Sequence, residues 1–160
     1  ALKGFSRYAS GQDRLLVLID YTKPSTEKRF YILDLLQKKL LLSTYVAHGR
    51  GSGDNYAVAF SNRPGSYQSS LGFFRTGDTY MGKNGYSLFL DGLEKGINDK
   101  ARERAIVVHG ANYADPAVLK GQQRLGRSLG CPALPPDISK QVIDTIKGGV
   151  LLYIYGLNKA

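Results

Sequence analysis

The only cysteine of the chain lies in a sequence typical of a loop. Cys131 stands between Gly130 and Pro132 and not inside an apolar strand pattern. A lone cysteine is most often a small buried apolar residue, but glycine marks positions where the backbone turns tightly or approaches a ligand. A nucleophilic thiol is therefore a real alternative to a packing role. A single cysteine also excludes an intrachain disulfide and any zinc site built from several cysteines.

Two histidines are candidates for the base that such a thiol needs. His109 follows an apolar run, residues 105–108, and precedes Gly110. His48 ends another strand pattern and is the rival base. Strand ends often present catalytic groups, although a structural histidine also fits there. One cysteine and one histidine are the minimum for a thiol nucleophile with a general base. The two histidines and the carboxylates show no metal-ligand spacing, so we expect no metal.

A third candidate feature is a segment rich in aromatic residues and glycine, residues 66–86. Its aromatic side chains could wall a substrate groove, or they could pack on a sheet. They are Tyr67, Phe73, Phe74, Tyr80 and Tyr86.

Short apolar runs separated by Gly, Pro, Asn and Asp indicate many strands and few helices. The predicted strands are residues 14–21, 29–33, 39–47, 56–60, 71–75, 86–90, 105–108 and 150–155. An amphipathic helix is predicted over residues 135–147, with a glycine pair after it as the C-terminal stop. A weaker helical turn is predicted at 116–120. The pattern favours a mainly β fold of sandwich or barrel class in one domain, 1–160, with 1–11 as a possible remnant of a preceding segment.

The balance of 22 Lys+Arg against 13 Asp+Glu gives a formal net charge of +9. This charge suits nucleic acid, an anionic membrane surface or an acidic cell-wall polymer, or it serves solubility alone. Basic clusters are short and no nucleic-acid motif is present, so we expect no nucleic-acid partner. No apolar run is long enough to span a membrane. The chain starts without methionine or a leader pattern, so we expect a mature or trimmed form whose targeting segment is not in this chain.

Three blocks of sequence resemble the L,D-transpeptidase catalytic domain (YkuD-like), and most closely its murein L,D-transpeptidase subgroup. The blocks are 60–74 (without Arg63), 109–111 and 126–133, within a resemblance that covers residues 14–155. The central features are His109-Gly110 at a strand end and Ser128-x-Gly130-Cys131 about twenty residues later. The family consists of bacterial enzymes that remodel peptidoglycan.

The resemblance implies a mainly β fold of mixed sheets with a catalytic Cys loop along a groove. It implies Cys131 as nucleophile and His109 as base, with the backbone amides around Gly130-Cys131 as an oxyanion hole. Ser128 matches the motif serine, which is expected to orient the site. Gly110 would let substrate approach the histidine.

Two positions depart from the better-known pattern of the family, Ser-His-Gly-Cys followed by an apolar residue and arginine. Leu129 replaces the motif histidine, and Pro132-Ala133 replaces the apolar-arginine pair. Arg127 is the nearest candidate for the arginine role, but it lies on the other side of the cysteine.

The resemblance therefore predicts attack by Cys131 on the third residue of a peptidoglycan stem tetrapeptide. D-alanine leaves, a thioester forms, and no cofactor is required. An amine acceptor makes the protein an L,D-transpeptidase, whereas water makes it an L,D-carboxypeptidase. A peptidoglycan-binding module without activity is the other alternative. Arg127, Gly110, Tyr80, Tyr86 and His48 are the predicted substrate-binding residues. The resemblance implies an exported protein, periplasmic or cell-wall-associated, whose signal peptide is not in this chain. The sequence leaves its oligomeric state open.

Overall fold

Eight strands form one mixed sheet in this computed structural model, which describes residues 2–159 of the chain and their side chains from residue 4. The strands are β1 (Leu15–Asp20), β2 (Phe30–Asp34), β3 (Lys39–Thr44), β4 (Gly72–Gly82), β5 (Gly85–Gly92), β6 (Val107–Gly110), β7 (Ala133–Leu134) and β8 (Leu151–Tyr155). The helices are α1 (Leu2–Tyr8) and α2 (Pro136–Ile146). The mainly β fold of the sequence prediction is confirmed.

The order across the sheet is β3-β2-β1-β8-β4-β5-β6-β7. Its pairs are antiparallel except β1 with β8 and β6 with β7, which are parallel. A parallel pair needs a crossover connection, and the one between β6 and β7 spans residues 111–132. That crossover contains the cysteine loop, so the fold brings the loop back beside the strand that carries His109.

Helix α2 covers one face of the sheet and confirms the predicted C-terminal helix. Proline at its first position lacks an N–H that the helix could not use there. Its apolar stripe, Val142, Ile143 and Ile146, is buried in the main core. Leu88 of β5 and Val108 of β6 belong to the same core, so α2 holds the two strands next to the cysteine loop in place.

The strand predicted at residues 56–60 is absent, which corrects the sequence interpretation. The alternating apolar pattern there is strand-like, but the backbone groups bond to loops. Val58 N donates to Ser52 O, and Phe60 N donates to the Asn158 side chain. Apolar side chains of this segment are therefore buried against the core, although the segment has no partner strand.

Two elements appear that the sequence pattern did not predict. Strand β7 has only two residues, too few for a periodic signal. Helix α1 packs across the other face of the sheet, where the Tyr8 ring lies 5.2 Å from that of Phe73. Arg75 ties this segment down, because its Nη2 donates to Tyr8 O at 2.6 Å. The segment predicted as a possible remnant is thus packed on the sheet. Ala1 and Ala160, the ends of the predicted domain, lie outside the described residues, and the single-domain organisation stays a prediction.

The weaker helical turn predicted at 116–120 is a 3-10 helix, Pro116–Lys120. No helix in the described part of the chain has both the length and the apolar character required to cross a membrane.

A buried amide organises the connection from β5 to β6. Asn98 is fully buried, and its Nδ2 donates to Leu71 O and Phe73 O, each at 2.9 Å. Its Oδ1 accepts from Glu94 N at 2.9 Å. Buried polar groups that lose their partners are costly, so this amide fixes the path of residues 93–106 toward the cysteine loop.

We expect Asn98→Ala to lower the free energy of unfolding by about 2–4 kcal/mol, because two carbonyls and one amide lose their buried partner. Urea unfolding at pH 7 measures this loss. Asn112 is exposed and its side chain makes no hydrogen bond within the described residues, so Asn112→Ala is the matched control, expected within about 0.5 kcal/mol of wild type. Equal effects of the two substitutions would contradict the role of Asn98.

Candidate active site

A row of directly paired residues crosses four strands and contains His109. Tyr80 pairs with Ser87, Ser87 with His109, and His109 with Ala133. Paired residues point to the same face of a sheet, so the four side chains share one face. Cys131 lies two residues before Ala133. The parallel pairing therefore brings the cysteine alongside the strand of the histidine.

The Cys131 thiol is held against the start of β6. Only 9% of the residue is exposed. Sγ donates to Ala105 O at 3.3 Å and accepts from Val107 N at 3.4 Å. Burial raises the pKa of the thiol, and the Val107 amide and the charges of Arg104 and Lys83 oppose this rise. The resting group at neutral pH is consequently a thiol.

The His109 imidazole has its tautomer set by the next residue. The histidine is 3% exposed, and Nδ1 lies 2.9 Å from Gly110 O. Nδ1–H is the donor in that contact, which leaves Nε2 as an acceptor. Burial lowers the His109 pKa, so the ring is neutral at pH 7. No hydrogen bond joins Sγ to His109 among the described residues; catalytic contacts of this kind often tighten only when substrate binds.

Ser128 braces the turn that carries the thiol. Its Oγ donates to Cys131 O at 2.6 Å and accepts from Gly130 N at 3.1 Å. Gly130 has φ +127°. A Cβ there would lie 3.0 Å from Gln68 O, so only glycine suits both the conformation and the space.

The contacts of Ser128 leave only one of the two expected oxyanion donors free. The amide of Gly130, predicted as a donor, is already used by Ser128. The amide of Cys131 donates to no protein acceptor within the described residues. The Cys131 N–H is thus the better placed candidate to stabilise an oxyanion on a carbonyl that the thiol attacks.

His48 lies in a buried layer behind the loop. It is 1% exposed, and its Nδ1 accepts from Arg29 Nη2 at 2.8 Å while Nε2 donates to Gly53 O at 3.2 Å. Burial, assisted by the Arg29 charge, lowers the His48 pKa to about 4. The backbone of His48 accepts from Ser128 N at 2.9 Å. The position favours support of the cysteine loop over contact with a substrate.

Two of the other predicted substrate-binding residues also face protein. Tyr86 points to the α2 side, where its hydroxyl donates to Asp144 at 2.6 Å. Arg127 pairs with Asp54 at 3.2 Å and donates to Gly53 O at 3.3 Å. Both residues thus brace neighbouring elements.

Gly110 and Tyr80 lie closer to His109. A Cβ at Gly110 would collide with Ser139 of α2, so the glycine permits helix packing, and its carbonyl orients His109. Tyr80 shares the histidine's face of the sheet, although its ring stacks on Phe89 at 4.4 Å. Of the predicted substrate-binding residues, Gly110 thus adjoins His109 and Tyr80 shares its face of the sheet, whereas the side chains of His48, Tyr86 and Arg127 are engaged with protein groups.

Sequence reasoning missed two residues near the cysteine loop. Tyr113 follows His109 by four positions, and its phenol pKa is raised to about 12, chiefly by burial and further by the Cys131 charge. Arg104 belongs to one of the short basic clusters of the sequence, Arg102/Arg104, yet its charge favours the thiolate of Cys131. Both come to the site through loops whose course no periodicity predicts. The described residues hold no cluster of three or more His, Cys, Asp or Glu side chains suited to a metal.

The sequence matches the family model of the L,D-transpeptidase catalytic domain over residues 1–155. No curated protein matches the chain.

Solved structures with a similar fold carry related names. An L,D-transpeptidase from Mycobacterium smegmatis superposes with a TM-score of 0.53 at 13% identity, covering 89% of this chain and 59% of that one. One from Stackebrandtia nassauensis gives 0.55 at 14%, covering 97% and 62%. The helical cell shape determining protein of Campylobacter jejuni gives 0.58 at 16%, covering 92% and 50%. The chain thus spans about half to three fifths of their lengths, and at such identities the likeness concerns the fold.

The buried His48 predicts a pH dependence of stability. Its pKa of about 4 in the folded protein lies below the value of about 6.5 expected when unfolded. The folded state therefore binds this proton less readily, so the stabilisation is complete above about pH 6.5 and is lost as the pH falls toward 4. The loss is on the order of 3 kcal/mol.

Urea unfolding between pH 7 and pH 4 measures this effect. We expect His48→Gln to show a flatter pH dependence than wild type, whereas His109→Gln retains the contribution of His48. Identical slopes for wild type and His48→Gln would contradict the assignment.

Proposed function

Because the chain belongs to the L,D-transpeptidase catalytic domain family, we propose that it is a peptidoglycan L,D-transpeptidase with Cys131 as its nucleophile. The observation that carries the proposal is the pairing of β6 with β7, which brings the only thiol of the chain beside the strand that bears a neutral imidazole. A thiol and a base in such proximity are the parts that acyl transfer needs.

In the proposed first step, Nε2 of His109 takes the thiol proton while Sγ attacks the carbonyl carbon of the third stem residue. A C–S bond forms and the carbonyl oxygen becomes an oxyanion. The Cys131 N–H stabilises that charge; one such donor contributes about 2.7–4 kcal/mol in a comparable site. The C–N bond then breaks, and the imidazolium gives its proton to the amine of the departing D-alanine.

The neutral resting pair fits general base catalysis. A buried thiol with a raised pKa is a poor nucleophile by itself, but it need not ionise before it attacks if the imidazole accepts the proton during the attack. Gly110 O supports this function because its contact with Nδ1–H keeps Nε2 free of a proton. Ser128 acts as a positioning residue because it holds the turn around Cys131.

The fate of the thioester defines the activity. An amine of a neighbouring stem peptide gives a cross-link, whereas water gives a trimmed tripeptide and L,D-carboxypeptidase activity. The proposed steps use no cofactor. Stem peptides of an anionic cell wall are the proposed partner, which agrees with the net charge of +9 and with an exported location.

A module that binds peptidoglycan without catalysis is the second candidate. The observation that favours it is the orientation of the thiol, which is buried and bonded to Ala105 O without a hydrogen bond to His109 among the described residues. A purely structural cysteine would have the same surroundings. The neutral imidazole of His109 on the neighbouring strand, with Nε2 free to accept a proton, favours the enzyme over the binding module.

We expect Cys131→Ala to abolish formation of an acyl-enzyme, because no other thiol is available. Mass spectrometry of the protein after incubation with a carbapenem detects the adduct. The control is Thr145→Ala, an exposed position on α2, which should label like wild type. Retained labelling of Cys131→Ala would rule out this nucleophile.

The products of a purified tetrapeptide muropeptide separate the functions. A cross-linked dimer supports transpeptidation, and a tripeptide monomer supports carboxypeptidase activity. An unchanged muropeptide together with co-sedimentation of the protein with peptidoglycan supports the binding module.

We expect kcat/KM to fall at acid pH with a midpoint below 6.5, because protonation of His109 removes the base and burial lowers its pKa. His109→Gln should lower kcat/KM by about 10²–10⁴-fold and remove this acid limb. Steady-state assays between pH 4.5 and 9.5 measure both. A wild-type rate that rises tenfold per pH unit throughout this range would instead indicate a free thiolate acting without the base.

A further inference from the structure

Arg104 is a half-buried cation without an acidic partner among residues 4–159. Five other arginines in the described residues pair with aspartates, namely Arg14, Arg75, Arg102, Arg124 and Arg127. The guanidinium of Arg104 instead donates to four neutral oxygens at 2.7–3.2 Å: Ser61 O, Ser70 Oγ, Ser66 Oγ and Gln68 O. These contacts hold the group in place but leave its charge uncompensated. Because a buried charge is costly unless an opposite charge balances it, such a site favours an anion nearby.

That anion can form at the neighbouring cysteine loop. Nη2 of Arg104 lies 3.4 Å from the position that a Cβ on Gly130 would occupy. The carbonyl of the next residue, Ala105, accepts the Cys131 thiol. The guanidinium of Arg104 thus lies at the cysteine turn while the residue after it contacts Sγ, and the positive charge of Arg104 favours the thiolate against the effect of burial.

The contacts of residues 61–70 also explain how the guanidinium of Arg104 is held next to the cysteine loop. Residues 61–70 wrap the guanidinium and at the same time contact the cysteine turn, since a Cβ on Gly130 would meet Gln68 O. Ala105 adopts φ +56°, an uncommon conformation for a residue other than glycine, and so turns its carbonyl to Sγ. One short segment thus supplies both the cation and the acceptor of the thiol proton at rest.

We infer that Arg104 is a positioning residue that supplies the counter-charge for the negative charge developing at Cys131 during acyl transfer. The inference rests on the proposed function, in that Cys131 is the nucleophile. Arg104 would also supply a positive charge that this chain lacks after the cysteine, because Pro132-Ala133 replaces the apolar-arginine pair of the better-known motif there. The cation comes from the loop before β6 and not from the residues after the cysteine.

The pH dependence of Cys131 alkylation by iodoacetamide tests this role on the whole chain. We expect Arg104→Gln to raise the midpoint by roughly one pH unit, because removal of a nearby opposite charge raises the pKa of an acid. Arg104→Lys keeps the charge and should stay within a few tenths of a unit of wild type. Arg102→Gln is the matched control, because Arg102 is exposed and pairs with Asp91 at 2.6 Å, and its midpoint should equal that of wild type.

A midpoint unchanged in folded Arg104→Gln would overturn the inference. If that variant does not fold, the alkylation midpoint of Arg104→Lys is compared with that of the double variant Ser66→Ala/Ser70→Ala. The double variant removes two of the hydrogen bonds to the guanidinium but keeps its charge. A lysine cannot donate to all four oxygens. If Arg104 acts only through these hydrogen bonds, the alkylation midpoint of Arg104→Lys should therefore shift as that of the double serine variant does. A counter-charge predicts the wild-type midpoint for Arg104→Lys. Alkylation requires no stem peptide, so failure of Arg104 in this assay is distinguishable from failure of acyl-enzyme formation at Cys131.

Discussion

The parallel pairing of β6 with the two residues of β7 is the constraint on which the site depends. His109 opposite Ala133 sets the position of Cys131 two residues upstream. The pairing is short, so other contacts must reinforce it. Ala47 bridges Ala133 from the other side, and Gly49 bridges Ser128. The cysteine loop is therefore held between two backbone segments, which is the rigidity that the proposed nucleophile and base require.

A buried polar layer stabilises these segments. Arg29 is fully buried, donates to Val46 O at 2.6 Å and to His48 at 2.8 Å, and lies 4.8 Å from the centre of the Tyr21 ring. His48 in turn accepts from Ser128 through its backbone. Contacts thus run without a break from Arg29 to Ser128 and from Ser128 to Cys131. Such networks are favourable only when their members are satisfied, which explains why His48 must remain neutral.

The electrostatics of the site balance burial against charge. Burial raises the pKa of Cys131 and lowers that of His109, so both favour their neutral forms at rest. A dry environment also strengthens every charge interaction that develops when a proton moves from the thiol to the imidazole. In the proposed mechanism, Arg104 lies near the sulfur that loses its proton, and the Cys131 amide lies near the oxyanion of the attacked carbonyl. The thiol and the imidazole are thus neutral at rest, and the groups proposed to stabilise charge lie where it would develop during the reaction.

The sequence by itself determined the mainly β class, the amphipathic helix α2 and the family, because strand periodicity, a proline start and the His-Gly and Ser-x-Gly-Cys blocks are local signals. It also singled out Cys131 and His109 through residue type and glycine context. Only the tertiary structure decided which residues surround them. Residues 56–60 look like a strand but bond to loops, Tyr86 turns to α2, and His48 is covered by Arg29. Arg104 and Tyr113 approach the cysteine loop through connections between strands. The physical reason is that long-range backbone pairing and burial select these neighbours, and neither leaves a periodic trace in the chain.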